Sequence, residues 1–158
     1  MRYQDQVVKV TQRALDDVCR AALAVPADKL EWKPLGDVRS VLNQMQEIAV
    51  SATFFMPLVT MGAAPEFDAE ARKRAMELQR SFDTLTKCID EARRTVAELC
   101  QAIGAVPDAQ LEKEVVVPFG GGVTMTIADV LGTAAWNMTY HLGQINQIQL
   151  MLGDKQMH

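Results

Sequence analysis

Between Ala71 and Ile103 the apolar residues recur at alternating intervals of four and three: Ala71, Ala75, Leu78, Phe82, Leu85, Ile89, Ala92, Val96, Leu99 and Ile103. No β-strand keeps that period. A repeat averaging about 3.5 residues keeps one stripe turned toward a neighbouring helix, so the pattern predicts a single long helix packed at a shallow left-handed angle. Its other face is rich in Lys, Arg, Glu and Asp and reads as a solvated surface. Gly104 supplies a stop.

The rest of the chain repeats the device. Val7, Val8, Leu15, Val18 and Ala22 predict a first helix over about Tyr3 to Ala24, ended by Pro26. Val41, Met45, Ile48, Ala52, Phe55 and Val59 predict a second over about Asp37 to Thr60, with Pro57 kinking or shortening its last turn. Ile127, Leu131, Ala134, Met138, His141, Ile145, Ile148 and Leu152 predict the last. Before it, VVVPFGGGVTMT places β-branched runs on either side of Gly120, Gly121 and Gly122, which fits two short strands or an extended flap. A phosphate loop is disfavoured there, because neither a parallel-sheet pattern nor a Walker lysine accompanies the glycines. Val25-Pro26 with Leu30 recurs as Val106-Pro107 with Leu111, 81 residues later in each case. Two helical hairpins related by a pseudo-twofold axis would produce that echo, as would chance. The expected fold is therefore all-α: an antiparallel four-helix bundle with a short extended or β-like loop before the last helix.

Composition sets the outer limits. With 158 residues, 49% of them hydrophobic and 23% charged, the chain is long enough for one domain over residues 1–158 that buries roughly 68–70% of its unfolded surface. A net charge of -4 without clustered Lys and Arg argues against nucleic acid as a partner. The N-terminus lacks the apolar core of a signal peptide, and the most apolar stretch, Val41 to Met61, is interrupted by Asn43, Gln44, Gln46 and Glu47. A cytoplasmic protein without a membrane span is expected. Three widely spaced cysteines, Cys19, Cys88 and Cys100, form no metal or redox motif.

His141 is the anomaly. A histidine inside a seam of Ile, Leu and Met must find hydrogen bonds or a metal, because leaving a buried polar group unsatisfied costs roughly 1–3 kcal/mol. Asn137, four residues earlier, and Gln144, three later, share or flank its face, and Trp136 and Tyr140 lie close by. The plain reading is a core histidine bonded to Asn137, Gln144 or a carbonyl. The only other histidine, His158, is at the C-terminus, so a three-histidine centre is excluded.

WNMTYHLGQINQIQLMLG resembles the last helix of the DinB/YfiT-like family, in which a HxxxH pair precedes Gly-Gln; His141, Gly143, Gln144 and Gly153 carry the match. LEWKPLGDVRSVLNQMQEIA is similar to that family's approach to its second helix, through Trp32, Pro34, Arg39, Ser40 and Val41. The resemblance implies a four-helix bundle, homodimers, a small-molecule substrate or ligand, and a divalent ion, zinc or nickel, held by three histidines. It also implies thiol-dependent transferase or isomerase chemistry. Two ligand positions depart from the pattern: Glu47 stands where the second-helix histidine is expected and Asn137 where the first of the HxxxH pair is expected. The implied site is thus Glu47, Asn137 and His141, with Trp32, Trp136, Tyr140 and Gln144 as pocket residues. An amide oxygen is a poor ligand for zinc or nickel, so affinity should fall. A helical wheel at about 100° per residue sets Glu47 more than about 90° from the centre of the second helix's stripe, which leaves a solvated glutamate as its plain reading.

Three functions stay open on this basis. In a divergent metal-dependent transferase or hydrolase, Glu47 and His141 would hold an ion that activates a thiol or water. A metal-free enzyme would use the same two as an acid–base pair. A binding or interaction module that has lost the metal site would keep a small-ligand pocket lined by Met56, Met61, Phe54, Phe55 and Phe119.

Overall fold

The computed structural model describes residues 1–65, 68–118, 121–156 and 158. Helix α1 spans Tyr3–Ala24, α2 Val41–Met61, α3 Ala69–Ser81, α4 Leu85–Ala105 and α5 Ile127–Met151, with strands β1 (Glu114–Val117) and β2 (Val123–Thr126) between α4 and α5. The extended loop is an antiparallel hairpin, paired from Glu114 with Thr126 to Val117 with Val123. Val115 and Val117 turn inward and Val116 outward, the alternation a half-buried strand demands. Phe119 and Gly120 lie outside the described residues; Gly121 and Gly122 have φ of 91° and 98°, conformations open to glycine.

Local chemistry sets the helix ends. Ser40 caps α2, its Oγ accepting from Asn43 N at 3.2 Å, so the helix starts after Ser40 rather than at Asp37. Thr126 and Asp129 form a reciprocal capping box at the start of α5. Helix α4 runs through Gly104 to Ala105 and stops before Pro107, whose ring cannot continue it. Pro57 sits inside α2 and, lacking an N–H, leaves the Thr53 carbonyl without the donor four residues ahead.

The expected long third helix is two helices. The chain leaves α3 at Phe82 (φ -84°, ψ 75°) and restarts at Thr84, whose Oγ1 accepts from Lys87 N at 3.3 Å. Gln46 Nε2 donates to the Phe82 carbonyl at 3.0 Å and Cys88 Sγ to the same oxygen at 3.4 Å, holding the break against the start of α2.

Helices α1, α4, α2 and α5 follow one another around the bundle: α1 packs on α4 and α5, and α2 packs on the same two. Tyr3 donates to the Ala128 carbonyl and Gln149 to the Ala21 carbonyl, start to start and end to end, so α1 and α5 run parallel. Gln4 at the start of α1 donates to the Val106 carbonyl just past α4, so that pair is antiparallel. Thr95 reaches the Ala49 carbonyl and Gln46 that of Phe82, which makes α2 and α4 parallel and α2 antiparallel to α5. Helix α3 makes this possible by returning the chain along α2 before α4 begins. The shared core includes Met45, Ile48, Leu99, Ile103, Leu131 and Ile145.

The repeated Val-Pro-x-x-x-Leu is structural. Pro26 and Pro107 each open a short 3-10 turn, Ala27–Lys29 and Asp108–Gln110. The carbonyl of the following leucine then accepts from the second residue of the next long helix: Leu30 from Leu42 N and Leu111 from Ala128 N, both at 2.9 Å. Among the described residues no helix is long and apolar enough to cross a membrane.

Candidate functional site

Two turns into α2, Glu47 meets α5. His141, wholly buried, brings Nε2 within 3.0 Å of Glu47 Oε1, and Asn137 Nδ2 donates to the same oxygen at 3.2 Å. Arg39, in the turn before α2, donates through Nε to Asn43 Oδ1 at 2.8 Å and is thereby held where Nη1 forms an ion pair with Glu47 Oε2. On the other side of the ring, Nδ1 lies 3.3 Å from Gln44 Oε1 and 3.2 Å from Gln144 Oε1.

Gln44 donates Nε2 to the Arg39 carbonyl at 3.4 Å, which turns its oxygen toward His141 Nδ1. Burial pushes the Glu47 carboxyl up, but the hydrogen bond from His141 and the charge of Arg39 outweigh it and hold the group down at about 2. Glu47 is thus an anion at neutral pH and a weak base.

Glu47 and Asn137 face a cleft of about 1070 Å³ walled by α2, α3 and α5 and lined mainly by apolar side chains, among them Val50, Phe54, Phe55, Leu78 and Trp136. His141 lies behind them and does not reach it. A second groove of about 590 Å³, between the loop at Pro34 to Arg39 and α5, takes in Gln44, Tyr140 and Gln144. Trp136 and Tyr140 stack on each other at 5.6 Å on the exposed side of α5. Trp32 packs against the core and lines neither space. Phe54 and Phe55 do line the cleft, whereas Met56 and Met61 do not, and Phe119 lies outside the described residues. The cysteines offer no nucleophile: all three are buried, and burial pushes the Cys19 and Cys88 thiols up to about 11.

Residues 9–145 match the DinB superfamily. The chain belongs to the DinB superfamily. Comparison with the sequences of curated proteins gives no match. Solved structures share the fold at low identity. YfiT from Bacillus subtilis, described as a probable metal-dependent hydrolase with an unusual four-helix bundle topology, is 14% identical with a TM-score of 0.75 over 95% of this chain and 87% of its own. A mycothiol-dependent maleylpyruvate isomerase is 14% identical with a TM-score of 0.70 over 90% of this chain; this DinB protein spans 60% of its length. ClbS, a colibactin self-resistance protein solved with a double-stranded DNA, is 13% identical with a TM-score of 0.66, covering 92% and 95% of the two chains. A DinB fold is therefore compatible with DNA as a partner, and the expectation against nucleic acid rests on this chain's charge alone.

The three positions where the resemblance implies metal ligands do converge, but their chemistry does not fit the ion. Among the described residues no group of three or more His, Cys, Asp or Glu could hold one. Glu47 already shares its two oxygens among His141, Asn137 and the fixed cation of Arg39, and Asn137 turns a donor, not an acceptor, toward the shared oxygen. Sequence reasoning missed two members of this network. Gln44 had a signal, since it sits three residues after Val41 and four before Ile48 within the buried stripe. Arg39 had only a motif-level signal, as one of the residues that carry the resemblance at the approach to the second helix.

Proposed function

We propose that this DinB protein binds a small, mostly apolar molecule in the cleft between α2, α3 and α5, without a metal ion. The observation that carries the reading is Glu47: it forms part of the cleft wall, and its charge is paired from within by Arg39 while His141 lies against its other oxygen. A cleft of about 1070 Å³ with an apolar lining and few polar groups is of the size and character that small-molecule sites have. Binding is better supported than acid–base catalysis. His141 is too deeply buried to touch a ligand, and a carboxyl held at about 2 accepts protons poorly.

The thiol chemistry and metal dependence of the structural neighbours belong to those proteins. Elemental mass spectrometry of untagged protein, purified without chelator, tests the difference beside His141→Ala and Glu47→Ala. Far less than one divalent ion per chain is expected in all three. About one ion per wild-type chain, lost in both variants, would overturn the metal-free reading and make metal-assisted transfer to or from a thiol the next assay.

A further inference from the structure

Helices α2 and α5 differ from the other long helices in carrying almost no charge. Glu47 is the one charged residue between Val41 and Met61, and from Val130 to Gly153 there is no Asp, Glu, Lys or Arg at all. A helix without a charged side belongs where it is covered on every side. For α2 that holds, since α3, α4 and α5 all pack on it. Helix α5 packs on α1 and α2, and on β2 at its start, and its remaining side is open. That side exposes Trp136, Tyr140, Leu150 and Met151, where the open sides of α1 and α4 expose Lys9, Arg13, Arg93 and Glu98.

The face continues off the helix. Leu35 and Val38, in the turn before α2, are also exposed and border the same groove as Tyr140 and Met151; the charges at its rim, Asp37 and Arg39, are of opposite sign. With Trp136 68% exposed and Tyr140 52% exposed, the two stacked rings present roughly 250 Å² of mainly apolar surface, and the other four side chains add roughly 200 Å². A patch of about 450 Å² is more than scattered surface residues produce. It also matches the apolar share of a standard interface, to which each side contributes about 800 Å², somewhat over half of it apolar.

Two glycines argue separately for a cover on α5. Gly132 and Gly143 stand inside the helix, within about 40° of Trp136 on the helical wheel. A glycine in a helix interior costs about 1 kcal/mol relative to alanine. Contacts within the chain do not require either one, because a Cβ at each would meet no described atom within 4 Å. Bare backbone at these positions lets a surface from outside approach the helix closely.

We infer that this face of α5 is where two copies of the chain associate, their α5 helices antiparallel across a two-fold axis near Tyr140. An axis passing between Trp136 and Gly143 sets the Trp136 ring of each copy over the bare backbone at Gly143 of the other. The occupant is a second copy because a two-fold contact lays one patch on itself, and an uncharged patch is complementary to itself. A chain of net charge -4 also meets least self-repulsion where its surface carries no charge.

The test is sedimentation velocity of the untagged full chain across the micromolar range, where interfaces of this size begin to form. A particle of twice the 17.5 kDa chain mass is expected. Trp136→Glu should weaken association by about a hundredfold or more, since the residue counts twice in a two-fold interface. Gly143→Arg should do the same while leaving the chain folded and no less heat-stable, because arginine favours helix over glycine. Val10→Glu, which puts the same charge at an exposed apolar site on α1, should leave the dimer intact. Circular dichroism checks that each variant is folded. A wild-type monomer throughout that range overturns the proposal and leaves the face to a different protein. A dimer that survives both α5 substitutions, or that Val10→Glu breaks equally, overturns the assignment to α5.

Discussion

Helices α3 and α4 carry one uninterrupted apolar spacing and end in opposite situations. In α4 the stripe buries Ile89, Ala92, Val96, Leu99 and Ile103 against α1 and α2. In α3 no residue is buried, and Ala71, Ala75 and Leu78 look into the cleft instead. The two stripes are of the same period and differ in what they meet. Periodicity states that a helix has an apolar face; it does not state whether that face closes a core or walls a space for something else. A 13-residue helix with nothing buried owes little of its stability to packing, so α3 is the part of the cleft most open to change.

Substitutions along the seam should expose this difference, beginning with the largest effect. Leu99→Ala in α4 should destabilise the protein by about 2–5 kcal/mol in urea unfolding, since it empties a fully enclosed site. An effect on that scale for α3 would erase the contrast. Thr84→Ala removes the cap that separates the two helices and should cost about 1 kcal/mol; no loss would mean that the Phe82 contacts alone hold the break.

The cleft's anchoring charge gives a pH test. Glu47 falls from its ordinary 4.5 to about 2 on folding. Its contribution to stability is therefore complete above the higher value and lost as pH falls through the lower one. Urea midpoints measured from about pH 5 down to 2 should decline more steeply for the native chain than for Glu47→Gln; parallel declines would mean that the ion pair with Arg39 and the bond to His141 do not favour the folded carboxylate. Leu78→Ala, at the bottom of the scale, should shift global stability by no more than about 0.5 kcal/mol while changing the cleft wall.

Much of the fold was legible in the sequence because the signals were local. The ends of α1, the Val-Pro echo, the β-branched hairpin and the start of α5 each rest on a few neighbouring residues. The break at Phe82 to Thr84 was also written locally, in Asp83 and Thr84, two residues that favour helix starts, but the continuing stripe masked it. Glu47 shows a different limit. A wheel measures its angle from one stripe, whereas α2 faces α4 and α5 at once, and the side toward α5 begins where the first stripe ends. That His141 needed partners could be read from its neighbours; that Gln44, Glu47 and, through Glu47, Arg39 would supply them depends on the register between helices roughly ninety residues apart.

The paired Leu30 and Leu111 turns divide the chain into α1–α2 and α4–α5, and the principal core contacts, α1 with α4 and α5 and α2 with the same two, all run between those halves. Neither half closes a core of its own. The chain must search across its whole length before any of its long helices is sheltered, which raises the contact order well above that of a bundle of sequential hairpins and slows folding accordingly. What is gained is cooperativity: loosening either half removes the other's support, so the four long helices stand or fall as one unit.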